Sequence, residues 1–341
     1  MWKELSRLAK DVNVIIEIET PTPRLGFGKP LILGSATAGK PYKTYTELSS
    51  VKLDYAETTE EYKAAYALLN QGDDSPAEIA IACQKTGTEP ESIDDVLGRL
   101  WKEDWYFLIT TTTLQADVDE FAAAIEQNNS REYFTRSSTL ADVALLLAEN
   151  YSRTTVFYHT DISNYPEAAL IGRVGSAPVG SVTWKFKFLQ GIVPLDITDT
   201  ELREIHAAGA ITYVTKAGQN QTSEGKTLSG EWIDVIHSKD YIRFNIEYAI
   251  QRLFANTDKV SFTDTGIAQL ESETRTVLQQ GFNQGIIAAD EDGQPMYGTT
   301  FQTRAQTDPA DRAQRIFNGG KFWFDLAGAI HETTIRGLIR K

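Results

Sequence analysis

Between Thr58 and Thr160 the apolar pattern switches repeatedly between short continuous runs and a 3.6-residue repeat. The runs Ala77–Cys83, Trp105–Thr111, Tyr133–Arg136 and Thr154–His159 read as strands. Between them Glu60–Leu69, Ser92–Trp101, Asp117–Gln127 and Leu140–Glu149 read as helices; in the third, Val118, Phe121, Ala122 and Ile125 share one face. A helix after each buried strand is what a crossover between parallel neighbours requires. The expected fold class is therefore α/β: a mixed, mostly parallel body covered by helices on both sides, followed by a C-terminal α/β core.

Further along, Tyr165–Arg173 and Glu201–Ala208 are expected helices and Ala210–Lys216 a strand. Val182–Leu189 alternates Val182, Trp184, Phe186 and Phe188 with Thr183, Lys185 and Lys187, the pattern of a strand with one wet face. The polar, glycine-containing stretch Ala217–Gly230 reads as a loop and a boundary. A long helix is expected over Glu231–Ala255, its stripe formed by Trp232, Val235, Ile236, Ile242, Ile246, Ile250, Leu253 and Phe254. Asp240, Arg243, Glu247 and Arg252 fall mostly off that stripe and are assigned to a solvated or partner-facing side. A strand at Lys259–Phe262 and a helix from Thr263 or Asp264 to about Gly285 follow. Ile286–Ala289 and Met296–Thr303 are expected to form a hairpin around Asp290–Gly293. Then come a short helix over Asp308–Ile316 with Pro309 in its first turn, a strand at Lys321–Ala327 and an extended segment at Glu332–Ile339. At the other end Val12–Glu19 reads as a period-two strand, with Val12, Val14, Ile16 and Ile18 on one side and Asn13, Ile15, Glu17 and Glu19 on the other, and stops at Thr20-Pro21-Thr22-Pro23.

Several functions are disfavoured. The net charge of −14 opposes nucleic-acid binding as the main task. It is unevenly spread: Arg304–Lys341 holds seven Lys/Arg against four Asp/Glu, a basic end on an acidic body, which suits self-association or an acidic partner. No apolar run approaches the ~18 residues of a membrane span, so no membrane insertion is expected. The first eleven residues lack the apolar region of an export signal. Cys83, in an apolar run, reads as a buried structural thiol in a chain made in a reducing compartment. Gly34, Gly39 and Lys40 satisfy part of a phosphate-binding loop, but Pro41 stands where the metal-binding hydroxyl belongs. A nucleotide-binding α/β enzyme using this degenerate loop is the rival reading. The four histidines lack metal-ligand spacing, and His237 with Asp234 reads as a surface polar pair. No catalytic, cofactor-binding or metal residues are assigned, so a non-enzyme without cofactors is expected.

The order of Trp232-Ile233-Asp234, Asp240-Tyr241-Ile242-Arg243, Ile250-Gln251-Arg252-Leu253 and Val260–Ile267 resembles the C-terminal core of contractile phage tail sheath proteins, relatives of R-type bacteriocin sheaths. The similarity continues through Arg312, Arg315 and Leu326–His331 and covers about the last third of the chain well. The resemblance implies a structural protein of a virion tail, assembled in the host cytoplasm as stacked hexameric rings around a tail tube. Its partners would be copies of itself, the tube protein, and baseplate and terminator proteins. Contraction would drive the tube through the host envelope. It also implies that both chain ends complete the sheets of neighbouring subunits by β-augmentation. Val12, Val14, Ile16 and Ile18 would form the N-terminal donated strand, with Thr20–Pro23 its hinge. Thr333, Ile335 and Ile339 would lie on the C-terminal one, with Gly328 near its hinge, and Arg312 and Arg315 would face the tube. The implied division is an arm at 1–23, an α/β domain at 24–217, the sheath core at 218–327 and an arm at 328–341. A baseplate or tube component is a second structural alternative.

Overall fold

The computed structural model describes residues 27–335. The strand expected at Val12–Glu19, its hinge and Ile339 lie outside the described residues.

A seven-stranded sheet organises the body, in the order β2-β3-β1-β4-β5-β6-β7. Strands β1 (Pro30–Ala36), β3 (Ile79–Lys85), β4 (Phe107–Thr110), β5 (Glu132–Ser137), β6 (Thr154–Tyr158) and β7 (Ala210–Ile211) run parallel. Only β2 (Lys40–Tyr45) turns back, antiparallel to β3. The fold is thus mixed α/β with a mostly parallel sheet. Register explains the two apolar layers. Ile32 lies level with Ile81 on one neighbour and Ile109 on the other. All three enter a cluster with α1 (Leu48–Asp54), α2 (Glu60–Leu69) and α6 (Pro166–Val174). Their neighbours Leu31, Ala80 and Leu108 point to the opposite side. There they meet α3 (Ile93–Leu100), α4 (Gln115–Asn128), α5 (Leu140–Ala148) and α7 (Asp199–Ala207). A one-residue slip would exchange the two sets, so the register is fixed by burial.

Helix starts are specified locally. Thr59 and Thr139 cap α2 and α5, and Ser92 and Thr198 form reciprocal capping boxes with Asp95 and Glu201. The acidic pair Asp94-Asp95 occupies the first turn of α3. Cys83 is buried in β3, 1% exposed.

Val182–Leu189 is not a strand. Phe186 adopts φ +66°, which breaks the extended path, and Phe186 and Phe188 are exposed while Lys185 is buried. Lys185 tolerates burial because Glu224 accepts its Nζ at 2.8 Å. The expected strand at Ala210–Lys216 divides into β7 and β8 (Tyr213–Lys216). The expected loop after it contains β9 (Gln219–Thr222), paired antiparallel with β8 around Ala217 and Gly218, both at positive φ. Lys259–Phe262 is irregular rather than a strand.

The long helix α8 covers Ile233–Asn256, followed by α9 (Asp264–Asn283), which Thr263 caps. Ile242, Ile246 and Ala249 of α8 join Val277 and Leu278 of α9 in a third apolar cluster with Ile286 and Ile287. Phe254, assigned to the apolar stripe, is 50% exposed, because α8 runs past the cluster that covers its earlier turns. The Asp290–Gly293 turn closes on an Ala289–Pro295 bridge. Beyond that bridge, β10 (Tyr297–Phe301) pairs with β11 (Gly320–Phe324), and α10 (Pro309–Gln314) lies between them in sequence.

Candidate assembly surfaces

Helix α8 is fastened to the body by a buried polar joint. Asp240 accepts from both terminal nitrogens of Arg153, at 2.5 and 2.9 Å, and from the Tyr106 hydroxyl at 2.9 Å. Arg153 and Asp240 are 1% and 2% exposed, so Asp240 is not on a solvated side. Its position off the apolar stripe is explained by a buried cation brought in from the residue just before β6. Tyr106 also lies 3.0 Å from Glu132 Oε1, while Glu132 Oε2 has no partner among the described residues. Burial, with Asp240 adding to it, raises the Glu132 carboxyl well above its ordinary range. His237 is not a surface residue either. It is buried against the rings of Phe27, Tyr106 and Phe107, and burial lowers its pKa to about 3.

The two ends of the large sheet differ from the small sheet in how their edges are protected. Edge strand β2 carries Lys40, Pro41 and Lys43, and β7 has two residues. The β10–β11 pair is guarded less, with five residues in each strand and a single charge, Lys321 on β11. Hydrogen bonds Gln302 N to Gly319 O and Asp325 N to Met296 O fix which opposed residues exchange bonds. The alternation between them then directs the N–H groups of Phe322 and Phe324 outward from β11, and those of Thr299 and Phe301 outward from β10. Among the described residues neither outer edge is paired. Lys321, Phe322 and Trp323 are exposed, the last two at 44% and 56%. One face of the pair rests on α9, where Tyr297 donates to Gln279 and Thr299 to Glu271. On the other face Trp323 lies against Gly298, where a Cβ would come within 2.5 Å of the indole nitrogen.

Among the described residues, Glu332–Ile335 form no ladder; Thr333 is exposed and Ile335 is 89% exposed. Arg312 and Arg315 are placed differently. The Arg312 guanidinium donates to the backbone carbonyls of Arg304 and Thr307 and to the Thr307 hydroxyl, holding its own loop. Arg315, at φ +60° on the end of α10, is exposed. The exposed aromatics of β11, Phe322 on one face and Trp323 on the other, were not singled out from sequence.

The glycine loop offers no room for phosphate. Gly34 lies within β1, and a carboxylate oxygen of Glu61 is 2.0 Å from where its Cβ would stand. Glu61 also accepts the Ser35 N–H at 3.3 Å, so a buried carboxyl group already occupies the approach. A recess of about 370 Å³ is lined in part by His206, Glu224 and Lys226. Ser223, 2.9 Å from His206, is 1% exposed and accepts the Thr212 N–H, so its hydroxyl is closed to a substrate. Among the described residues no three metal-binding side chains cluster.

No protein-family model matches the chain, and no curated protein matches it. Solved structures do. A chain of the anti-feeding prophage baseplate superposes with a TM-score of 0.69 at 13% identity, over 96% of this chain and 98% of that one. The contracted helical sheath of the same prophage gives 0.66 at 13% identity with the same coverage. A sheath tail protein from Desulfitobacterium hafniense gives 0.59 at 11% identity, over 84% of this chain and 93% of that one. Over nearly all of its length, this chain has the fold of the subunits that build contractile sheaths.

Proposed function

We propose that the chain is a non-enzymatic structural subunit of a contractile tail sheath. It polymerises as stacked hexameric rings around a tail tube, between baseplate and terminator proteins, and shortens to drive the tube through a host envelope. The joints between subunits are exchanged terminal strands: Val12–Glu19 and Glu332–Ile339 of one copy add to the small sheet of another. The observation that carries this is the pairing of an open recipient with an unsatisfied donor. Strand β11 offers outward N–H groups beside exposed Phe322 and Trp323, while Ile335 stands 89% exposed and residues 332–335 pair with no strand among the described residues. An eight-residue strand spans about 26 Å. Its main-chain bonds contribute about 0.5–1.5 kcal/mol each, and repetition through a lattice makes the joint persistent. The arms at 1–23 and 328–341, the α/β domain at 24–217 and the core at 218–327 are the working parts of this reading.

Two truncated chains test it. Removal of Met1–Pro23 or of Glu332–Lys341 should leave a folded subunit that electron microscopy no longer finds in sleeves. Normal sleeves from both truncations would overturn strand exchange. The baseplate match supports a second reading, a baseplate component, which would give single rings or wedges from the full chain instead of sleeves of many lengths.

A further inference from the structure

The C-terminal chain is fastened to its own body at two separate points. Ala327 N donates to Ile286 O at 2.9 Å and is the last residue of the ladder. Four residues later His331 docks in a niche. Its ring meets Trp232 edge-on, with centroids 4.2 Å apart, and lies 5.8 Å from Phe186. Its Nε2 is 2.8 Å from the Thr183 hydroxyl. Between the two fastenings Gly328, Ala329 and Ile330 are exposed, Ile330 at 85%.

We propose that His331 is a releasable latch that holds a short length of chain in reserve. With the ring docked, the terminal segment leaves its own subunit at Glu332. With the ring released, it leaves at Gly328, and the four freed residues add up to about 13 Å of reach. A subunit whose neighbours move during shortening gains tether length without breaking the exchanged strand. The inference rests on the proposed donation of the residues beyond His331.

The niche suits a histidine that is neutral when docked. Segment Val182–Leu189 supplies Thr183, Lys185 and Phe186; the start of α8 supplies Trp232 and Asp234; and the loop before it supplies Glu224 and Lys226. Lys185 is paired with Glu224 at 2.8 Å, and Lys226 Nζ lies 4.5 Å from the centre of the Trp232 ring. Burial, then Lys185, lowers the His331 pKa, with Asp234 and Glu224 acting the other way. A free imidazole titrates near ~6.5. As pH falls through that value the released form binds a proton that the docked form excludes, so acid favours release.

The test uses the purified, unassembled full chain with spin labels on Thr334→Cys and the exposed Thr215→Cys, in a Cys83→Ala background. At pH 8 the labelled parent should give one narrow distance. His331→Ala, and the parent at pH 5, should both give a broader distribution displaced by about 10 Å. Thr183→Val, which removes only the hydroxyl, should move the distribution in the same direction. A parent distribution shared by both variants at pH 8 would overturn the latch. So would an equal acid response in His331→Ala. Failure of strand donation is read separately: sleeves from the chain lacking Glu332–Lys341 reject donation, while these distances are measured without assembly.

Discussion

Arg153, immediately before β6, and Asp240, on the second turn of α8, form a two-pronged ion pair in the interior, with Tyr106 donating to the same carboxylate. This pair joins the large sheet to the helix that carries the C-terminal region. Rotation of α8 against the body would strand two buried charges, so the joint fixes the helix in one orientation.

Asp240→Ala should destabilise the folded chain by about 3–5 kcal/mol, because Arg153 is left buried without a counter-charge. The double variant Arg153→Met/Asp240→Leu should lose less than Asp240→Ala alone. Chemical denaturation of the three proteins measures this; equal losses for single and double variants would reject the account.

Glu132 gives a pH dependence of defined sign. Its folded carboxyl titrates above its unfolded value, so between the two values the native state keeps a proton that the unfolded chain has released. Stability contributed at this site is therefore present in acid and lost as pH rises. Relative to Glu132→Gln, the parent should lose stability progressively as pH rises above the unfolded carboxyl pKa, by at most ~1.4 kcal/mol per pH unit. Denaturant titrations at pH 5 to 8 check it; parallel curves for parent and variant would refute it.

Phe322→Pro should separate folding from assembly. The Phe322 N–H points away from β10, so proline removes no ladder bond within the subunit but denies one to an added strand. Melting should change by a few degrees while sleeve formation falls at least tenfold. Trp323→Pro, which removes an inward N–H, should lower the melting temperature more. Undiminished sleeves from Phe322→Pro would place strand addition at another edge.

The two arginines assigned to the tube should behave unequally. Arg315→Glu reverses an exposed charge and should weaken co-assembly with tube while leaving stability within ~0.5 kcal/mol. Arg312→Ala removes the donor that holds the Arg304–Thr307 loop and should cost about 1–3 kcal/mol. Tube co-sedimentation and thermal melting distinguish these effects. Unchanged co-sedimentation of Arg315→Glu would remove it from the tube contact.

Much of the body was legible because its information is local. Glu60–Leu69 has the bounds expected from its periodicity, and α9 starts at the Thr263 cap. Val182–Leu189 was misread because its alternation is real in sequence but broken by the left-handed Phe186. The hairpin at β8 and β9 was not legible because the stretch from Thr215 to Gln221 is polar and its strands pair with each other, with only Tyr213, Val214 and Thr222 buried.

Apolar spacing and capping residues by themselves determined that this chain forms alternating strands and helices in a mostly parallel sheet, since burying those runs leaves few other arrangements. Tertiary structure alone decided that Asp240 and His237 are interior, that Arg312 is occupied and Arg315 exposed, and that His331 sits against Trp232. Each of these depends on which distant group arrives beside the residue. A polar side chain reads as solvated until its partner, 87 residues away for Asp240, is brought into contact.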